Sequence, residues 1–458
     1  MWRSCFSFKI MKPHIQLDLK TGETNKKVQM LLKAKRLFAT DMVKVSFMNG
    51  VATVIRMLTG FISVKVVAAV IGPIGVALLG QLNNFTQILL SISNGGINAG
   101  ITKYTAEHSE SEKDYSRYMG TGFWITLCLS IVTGLVIIVG AGYFSRSILH
   151  DVQYKAVFYV FGGTIILYAL NALLISVING FKEYRKYVIA NIIGSVVGLI
   201  FSVVLALRFG IYGALISTVT FQSIVFFLTL GVVSKSYWFK WKVFTSRFDK
   251  KAAIQLSHFS LMAIASAVTI PAGQIIVRNF ITEKNSITDA GLWEGVNRIS
   301  GMYLMVITTS FSVYFLPKLS QLKTKTALRH ELHTVYKIIT PFLLLSTLLI
   351  YLFRIFIIHL LFTSEFTGMQ NLFAFQLIGD ILKILGFVLG YLLLSKAMSR
   401  IYITMEIVNF MLLIIVSYFL VNAYGAVGAT IAFAIVYLVY LVVLCFIFRD
   451  LLFGKSAT

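Results

Sequence analysis

Residues 187–233 read YVIANIIGSVVGLIFSVVLALRFGIYGALISTVTFQSIVFFLTLGVV. The only charge in this stretch is Arg208, beside Gly210, in the short segment between two apolar runs at 187–207 and 212–233. A run of about twenty apolar residues, rising 1.5 Å per residue in a helix, crosses about 30 Å of hydrocarbon. A barrel strand would instead alternate polar and apolar positions, and no such alternation is seen. The stretch therefore predicts two membrane-spanning helices joined by a tight turn.

Outward from this pair, apolar runs bounded by charge, turn residues, Gly or Pro fall at 43–70, 74–102, 119–144, 156–179, 255–279, 290–316, 338–361, 371–394, 402–422 and 427–447. The expectation is an all-α integral membrane protein of twelve transmembrane helices, arranged as two six-helix lobes around a central cavity. The lobes would cover 43–233 and 255–447, with a basic extension at 1–42, a linker at 234–254 and a tail at 448–458. The linker, SKSYWFKWKVFTSRFDKKAA, is the longest interior connection and carries six basic residues. Its Trp238 and Trp241 also suit an interfacial anchor, and one loop can serve both purposes.

A faint internal repeat supports two halves. KEYRKYVIANIIGSVVGLIFSVVLALRFGIYGALIST and KAMSRIYITMEIVNFMLLIIVSYFLVNAYGAVGATI both run from a basic turn through one apolar span to Tyr-Gly-Ala, at Tyr212 and Tyr424, with a slip of two or three residues. Chance similarity of two apolar hairpins is the competing account. Six helices per repeat would relate the halves by an axis along the membrane normal, with a binding site between them.

Composition agrees. Of 458 residues, 57% are hydrophobic and only 13% charged, with mean hydropathy +0.82, whereas soluble domains carry about 25% charge. The net charge of +23 does not indicate nucleic acid as a partner, because the Lys and Arg residues occupy short gaps between apolar runs rather than one folded surface. The gaps on the side of the termini hold about 31 of them and the opposite gaps about five, which predicts that both termini are cytoplasmic. Residues 1–42 lack a signal peptide's apolar core; with the first span opening just after Met42, the expectation is a dispensable tail or a later true start. Cys5, Cys128 and Cys445 are scattered, so neither a disulfide framework nor a metal site is predicted. No nucleophile elbow, phosphate loop or ATP motif appears, and no cofactor is called for.

Ionisable groups at membrane depth cost at least about 2.5–3.5 kcal/mol each, so each is a candidate site unless it snorkels or pairs. They are Arg56, Lys65, Arg298, Arg354 and Lys383 against Glu294, Asp380 and Glu406. Glu294 and Arg298 stand four apart and Asp380 and Lys383 three apart, so each pair shares a helix face and either neutralises itself or serves a ligand. Arg56 and Lys65 have no acid on their own helix; Lys65, nearer the outer end, has snorkelling as its plain alternative. Arg278 closes the seventh span, where an interfacial anchor is the plain alternative, and Arg354 beside His359 reads first as an anchor. The surplus of cation favours an anionic guest, and a diphosphate offers linked oxygens to forked guanidinium donors. The second span, GQLNNFTQILLSISNGGINAG, with Gln81, Asn83, Asn84, Gln87, Asn94 and Asn98, is too polar to face lipid; its amides suit sugar hydroxyls or neighbouring helices. Pro271 in the seventh span favours a kink, either a hinge for alternating access or a common transmembrane proline.

FGIYGA, LSHFSLMAIASAVTIPAGQIIVRNFI, GLWEGVNRISGMYLMVITTSFSVYFLPKLSQL and LFAFQLIGDILKILGFVLGYLLLSKA resemble the Wzx-type O-antigen translocases, and among these the lipid III flippases of enterobacterial common antigen. The likeness spans roughly residues 43–450 and is more specific in the second half. It implies the fold of the multidrug, oligosaccharidyl-lipid and polysaccharide exporter superfamily, an inner-membrane location, and movement of an undecaprenyl-diphosphate-linked oligosaccharide from cytoplasmic to periplasmic leaflet without enzymatic chemistry. A glycan polymerase and a chain-length regulator are implied as partners, alongside membrane lipid. By that likeness Arg56 and Lys65 match basic positions on the first helix, Arg278 one ending the seventh, and Asp380, Lys383 and Glu406 charged positions on helices ten and eleven. Arg298 departs from the pattern of the lipid III flippases.

The candidate diphosphate ligands are thus Arg56, Lys65, Arg278 and Arg298; the glycan-facing amides Gln81, Asn83, Asn84 and Asn94; and the ion-coupling set Glu294, Asp380, Lys383 and Glu406. Two rivals stand beside this reading. A cation-coupled drug exporter of the same superfamily would favour acidic or aromatic cavity residues, and a glycan polymerase or ligase would want a long outer loop with paired carboxylates or an Arg and His cluster.

Overall fold

A computed structural model describes residues 41–396 and 398–452; most of the 1–42 extension and the end of the C-terminal tail lie outside them. By packing, the chain divides into units 1–49 and 50–458. The described part of the first is helical backbone.

Every regular element among the described residues is helical. In chain order they are α1 (Asp41–Ser93), α2 (Asn98–Glu107), α3 (Glu112–Val139), α4 (Ala141–Leu149), α5 (Lys155–Gly180), α6 (Tyr184–Val233), α7 (Trp241–Phe244), α8 (Lys250–Lys284), α9 (Ile287–Ser310), α10 (Leu316–Gln321), α11 (Lys325–Leu352), α12 (Arg354–Leu361), α13 (Phe373–Ser395), α14 (Ser399–Ile447) and α15 (Arg449–Leu452). Eight helical segments are long and apolar enough to cross a membrane. Three of these, in α1, α6 and α14, are 44, 50 and 49 residues long, about twice the length a bilayer needs. Each is broken by one glycine in left-handed backbone: Gly72 (φ 62°), Gly210 (φ 58°) and Gly425 (φ 60°). An L side chain is strained there, so glycine lets the chain reverse within one residue. With these breaks, and with α9 beside them, the helices accord with twelve spans.

The breaks also correct the register of the repeat. Gly210 and Gly425 have nearly equal ψ, −137° and −141°, and three residues on, Gly213 and Gly428 pack tightly against the carbonyls of Leu205 and Leu420 respectively. The matching motif is therefore Gly-x-x-Gly, pairing Gly210 with Gly425, rather than Tyr212 with Tyr424. The shared Tyr-Gly-Ala letters misled because one tyrosine precedes the turn glycine and the other follows it by two residues.

Span ends differ from expectation where apolar runs are poor guides. The second span is interrupted at 94–97, between α1 and α2, with Gly95 and Gly96 at positive φ. The ninth begins at Lys325 rather than 338, because α11 is amphipathic in its first turns: Leu328, Leu332 and Val335 share its buried face, and Thr324 caps it by accepting from the Ala327 N–H. Past α9 a single π-turn at Phe311–Phe315 leads into α10.

The turns gather at two ends. Gly72 beside Glu365, Pro73 against Gly291 and Gly425 beside Asn285 define a distal end. At the proximal end, Arg117 pairs with Asp249 at 2.8 Å and Lys240 with Glu112 at 2.7 Å, and Lys396 donates to the Leu319 and Leu322 carbonyls. One core cluster, around Ile97, Ile101, Tyr118, Leu173, Val177 and Trp238, also takes Ala252 and Leu256 from the start of α8. Further along, α8 packs chiefly on α14.

Candidate functional site

At the distal end, the first half of the chain meets the second along a seam lined by glycine. A side chain at Gly80 would collide with the Glu294 carboxylate, and one at Gly291 would collide with the Pro73 carbonyl, so α1 and α9 approach to backbone contact. Beside this seam lies a buried polar cluster. Arg278 of α8, only 2% exposed, donates through Nη2 to Glu294 Oε2 at 2.5 Å and through Nη1 to Gln81 Oε1 at 2.6 Å. Arg298 Nε donates to Glu294 Oε1 at 3.0 Å, the (i, i+4) pairing expected on a helix face. Gln81 Nε2 in turn donates to Asn279 Oδ1 at 2.5 Å, and the Arg278 guanidinium lies 5.4 Å from the Trp293 ring centre. Two cations thus share one carboxylate, in surroundings where charges are screened little.

The remaining predicted cations stand apart from this cluster. Arg56, exposed on α1, donates to the Asn191 side chain of α6 at 2.9 Å. Lys65 reaches the His359 carbonyl at 2.9 Å and that of Phe362 at 3.4 Å, so its ammonium caps the end of α12, where unpaired carbonyls concentrate negative partial charge. Beside Lys65 an apolar groove of about 500 Å³ opens between α1, α9 and α12, walled by Phe61, Ile62, Ile299, Tyr303 and Leu360. Arg354 folds back onto the Tyr351 carbonyl at 2.7 Å and over the Tyr351 ring.

A second polar group lies among α8, α9, α13 and α14. Asp380 accepts from the Tyr303 hydroxyl at 2.8 Å and from Gln376 at 3.4 Å. Lys383, three residues on, forms no ion pair with it; its ammonium sits 5.5–5.7 Å from the ring centres of Phe387, Phe433 and Tyr437, within cation–π range. Glu406 accepts from Thr269 at 3.4 Å. Lys383 and Glu406 line one small cavity of about 50 Å³ with Gln274, Asn297 and Asn409, space for a water or two. Pro271 lies nearby inside α8, which stays helical through it.

The amides of the second span divide. Gln81, Asn84 and Asn94 are buried and Asn83 exposed; Asn84 Nδ2 and Asn94 Oδ1 have no partner among the described residues. Among the described residues no cluster of His, Cys, Asp or Glu suits a metal. Asn191, Tyr303 and the glycines at 80 and 291 were not singled out from sequence. A GLWEG run ahead of Arg298 is the signal that a close helix approach was coming.

Residues 42–323 match the family described as Polysaccharide biosynthesis protein. Curated proteins named Lipid III flippase from Escherichia coli (strain K12) and Shigella flexneri are each 31% identical over 415 residues, covering 89% of this chain and 98% of theirs. Among solved structures, the inward-facing conformation of a MATE family multidrug resistance transporter of the MOP superfamily superposes with TM-score 0.70 at 14% identity, covering 88% of this chain and all of that one. The lipid II flippase MurJ, in an inward closed conformation, superposes equally well, with 87% of each chain covered. At such identities these structures establish a shared fold.

Proposed function

Because this chain belongs to the polysaccharide biosynthesis protein family, we propose that it flips a polyprenyl-diphosphate-linked oligosaccharide, an O-antigen unit or lipid III, across the cytoplasmic membrane by alternating access. The carrying observation is the pair of guanidiniums sharing the one Glu294 carboxylate at the distal seam, a surplus of cation that suits a diphosphate and repels a cationic drug. The excess of basic residues in the proximal gaps supports an orientation with the termini in the cytoplasm. The closed distal seam then belongs to a state that faces inward.

In this reading residues 43–233 and 255–447 act as two lobes joined by the 234–254 linker. Arg56, whose guanidinium has one amide partner and is exposed, takes the diphosphate first; Arg298 and Arg278 lie nearer the distal end and Lys65 borders the groove between α1 and α9. That groove, apolar and of about 500 Å³, suits a prenyl chain, which stays in lipid while the headgroup passes. Asn83, Asn84 and Asn94 are offered to the glycan. Asp380, Lys383 and Glu406, with Glu294, serve ion coupling, and Pro271 with Gly273 gives α8 a place to hinge. Since binding shifts an equilibrium only by its differential affinity for two states, the diphosphate must be held more tightly in the state that opens outward. A polymerase and a chain-length regulator would receive the product.

The test is complementation of a flippase-deficient strain, read as surface glycan, with flipping in proteoliposomes beside it. Arg56→Ala and Arg56→Glu are expected to lower translocation tenfold or more at unchanged membrane abundance; full activity in both would remove the clamp. Drug resistance conferred by the chain would support the exporter reading, and chain lengthening in proteoliposomes the polymerase reading.

A further inference from the structure

The distal cluster has more hydrogen-bond donors than acceptors. Arg278 Nε and Arg298 Nη2 are buried and have no acceptor among the described residues, although both guanidiniums are already engaged with Glu294. A carboxylate has two oxygens; a diphosphate linked at both ends presents four unbridged ones, two on each phosphorus, and forked guanidinium donors match them. Buried donors are normally satisfied, so two left open around a small anion mark a place made for a larger one.

We propose that Glu294 is the resident occupant of an anion site formed by Arg278 and Arg298, that the diphosphate of the substrate displaces it, and that the exchange unlocks the distal seam. This rests on the diphosphate-lipid reading above. Arg298, with 18% of its side chain exposed against 2% for Arg278, is the entry side, and Arg278 the deep wall. The link to opening is steric and electrostatic. Glu294 lies directly against Gly80, where an added Cβ would stand 2.6 Å from Oε2, so the carboxylate is part of the contact between α1 and α9. Once the diphosphate takes both guanidiniums, Glu294 is a buried charge with no partner, which is strongly unfavourable. Separation of α1 from α9 admits water to it. Glu294 is therefore a positioning residue that ties occupancy of the anion site to the state of the seam.

The test uses the full chain in nanodiscs, with farnesyl diphosphate as probe and farnesol as control. Spin labels at Gln153→Cys and Thr367→Cys, in a background lacking the native cysteines, report the width of the distal end. Glu294→Gln is expected to bind farnesyl diphosphate at least tenfold more tightly than the parent, because the competing anion is gone. It should widen the distal distance without ligand and slow net flipping. Gly80→Ala, which keeps every charge but crowds the carboxylate, should shift affinity and distance the same way, and serves if Glu294→Gln does not fold. Binding unchanged or weakened in both variants, with the distal end still closed, overturns the exchange. If that result comes with binding that depends on Arg56 and discriminates against farnesol, the exchange alone is wrong. If parent and variants fail to distinguish farnesyl diphosphate from farnesol, the diphosphate reading falls and the exchange with it.

Discussion

Lys65, a lone cation near the outer end of its helix, has a ligand role and snorkelling as its two readings. Its ammonium spans to the His359 and Phe362 carbonyls and ties the first half of the chain to the short helix α12. A hydrogen bond from a charged group contributes about 1.5–3 kcal/mol, less where water competes. Lys65→Met is expected to lower the melting temperature of the solubilised protein by a few degrees while leaving residual translocation, as measured by fluorescence-detected size exclusion after heating. Glu294 and Arg298 were legible as a pair from their spacing of four. Arg278 joining them was not, because it stands 16 residues before Glu294 on a different helix, and only the packing of α8 on α9 brings it near. Asp380 and Lys383 have the spacing of a pair yet make no direct ion pair; a tyrosine hydroxyl donates to the carboxylate and an aromatic cage surrounds the ammonium.

Among elements, the hairpins α6 and α14 make a controlled comparison. Gly210 and Gly425 share the same unusual backbone, but a Cβ built at Gly210 meets nothing within 4 Å, whereas one at Gly425 runs into the Asn285 side-chain amide. Gly210→Ala should therefore cost the backbone strain alone, about 1–3 kcal/mol. Gly425→Ala should cost that plus a clash, and Asn285→Ala should recover the second part but not the first. Thermal unfolding of the single and double variants checks the difference. Hydropathy could not place these turns, since the apolar pattern runs almost unbroken across them; glycine at left-handed φ was the deciding chemistry. The beginning of α11 escaped the reading for the opposite reason, its buried stripe of Leu328, Leu332 and Val335 being thinned by charge.

For the molecule as a whole, the proximal end is held by ion pairs that link distant segments. Asp249 receives hydrogen bonds from the Arg117 guanidinium and from the Ala252 N–H, and these hold its carboxyl below the ordinary carboxylate value of 3.8, the Arg117 bond foremost. A depressed acid contributes stability above its unfolded pKa and loses it as the pH falls through the folded one. Asp249→Asn should thus melt a few degrees below the parent near neutral pH, and the gap should close as the pH is taken below about 3.8; a gap independent of pH would mean that the charge is not what matters. The overall architecture was readable because lipid demands long apolar helices, while the inter-half contacts were not, because they are made by single polar groups with no periodic signature.

The course of α8 carries a mechanical implication. Its first turns are embedded among residues of the opposite half, through Ala252 and Leu256 and the Asp249 tie, while its remaining length lies along α14. Such a helix is a strut with a foot in each body. Any rocking that parts the proximal ends must either pull one foot free or flex the strut, and the weak point is already built in at Pro271, where the backbone lacks one of its own rungs.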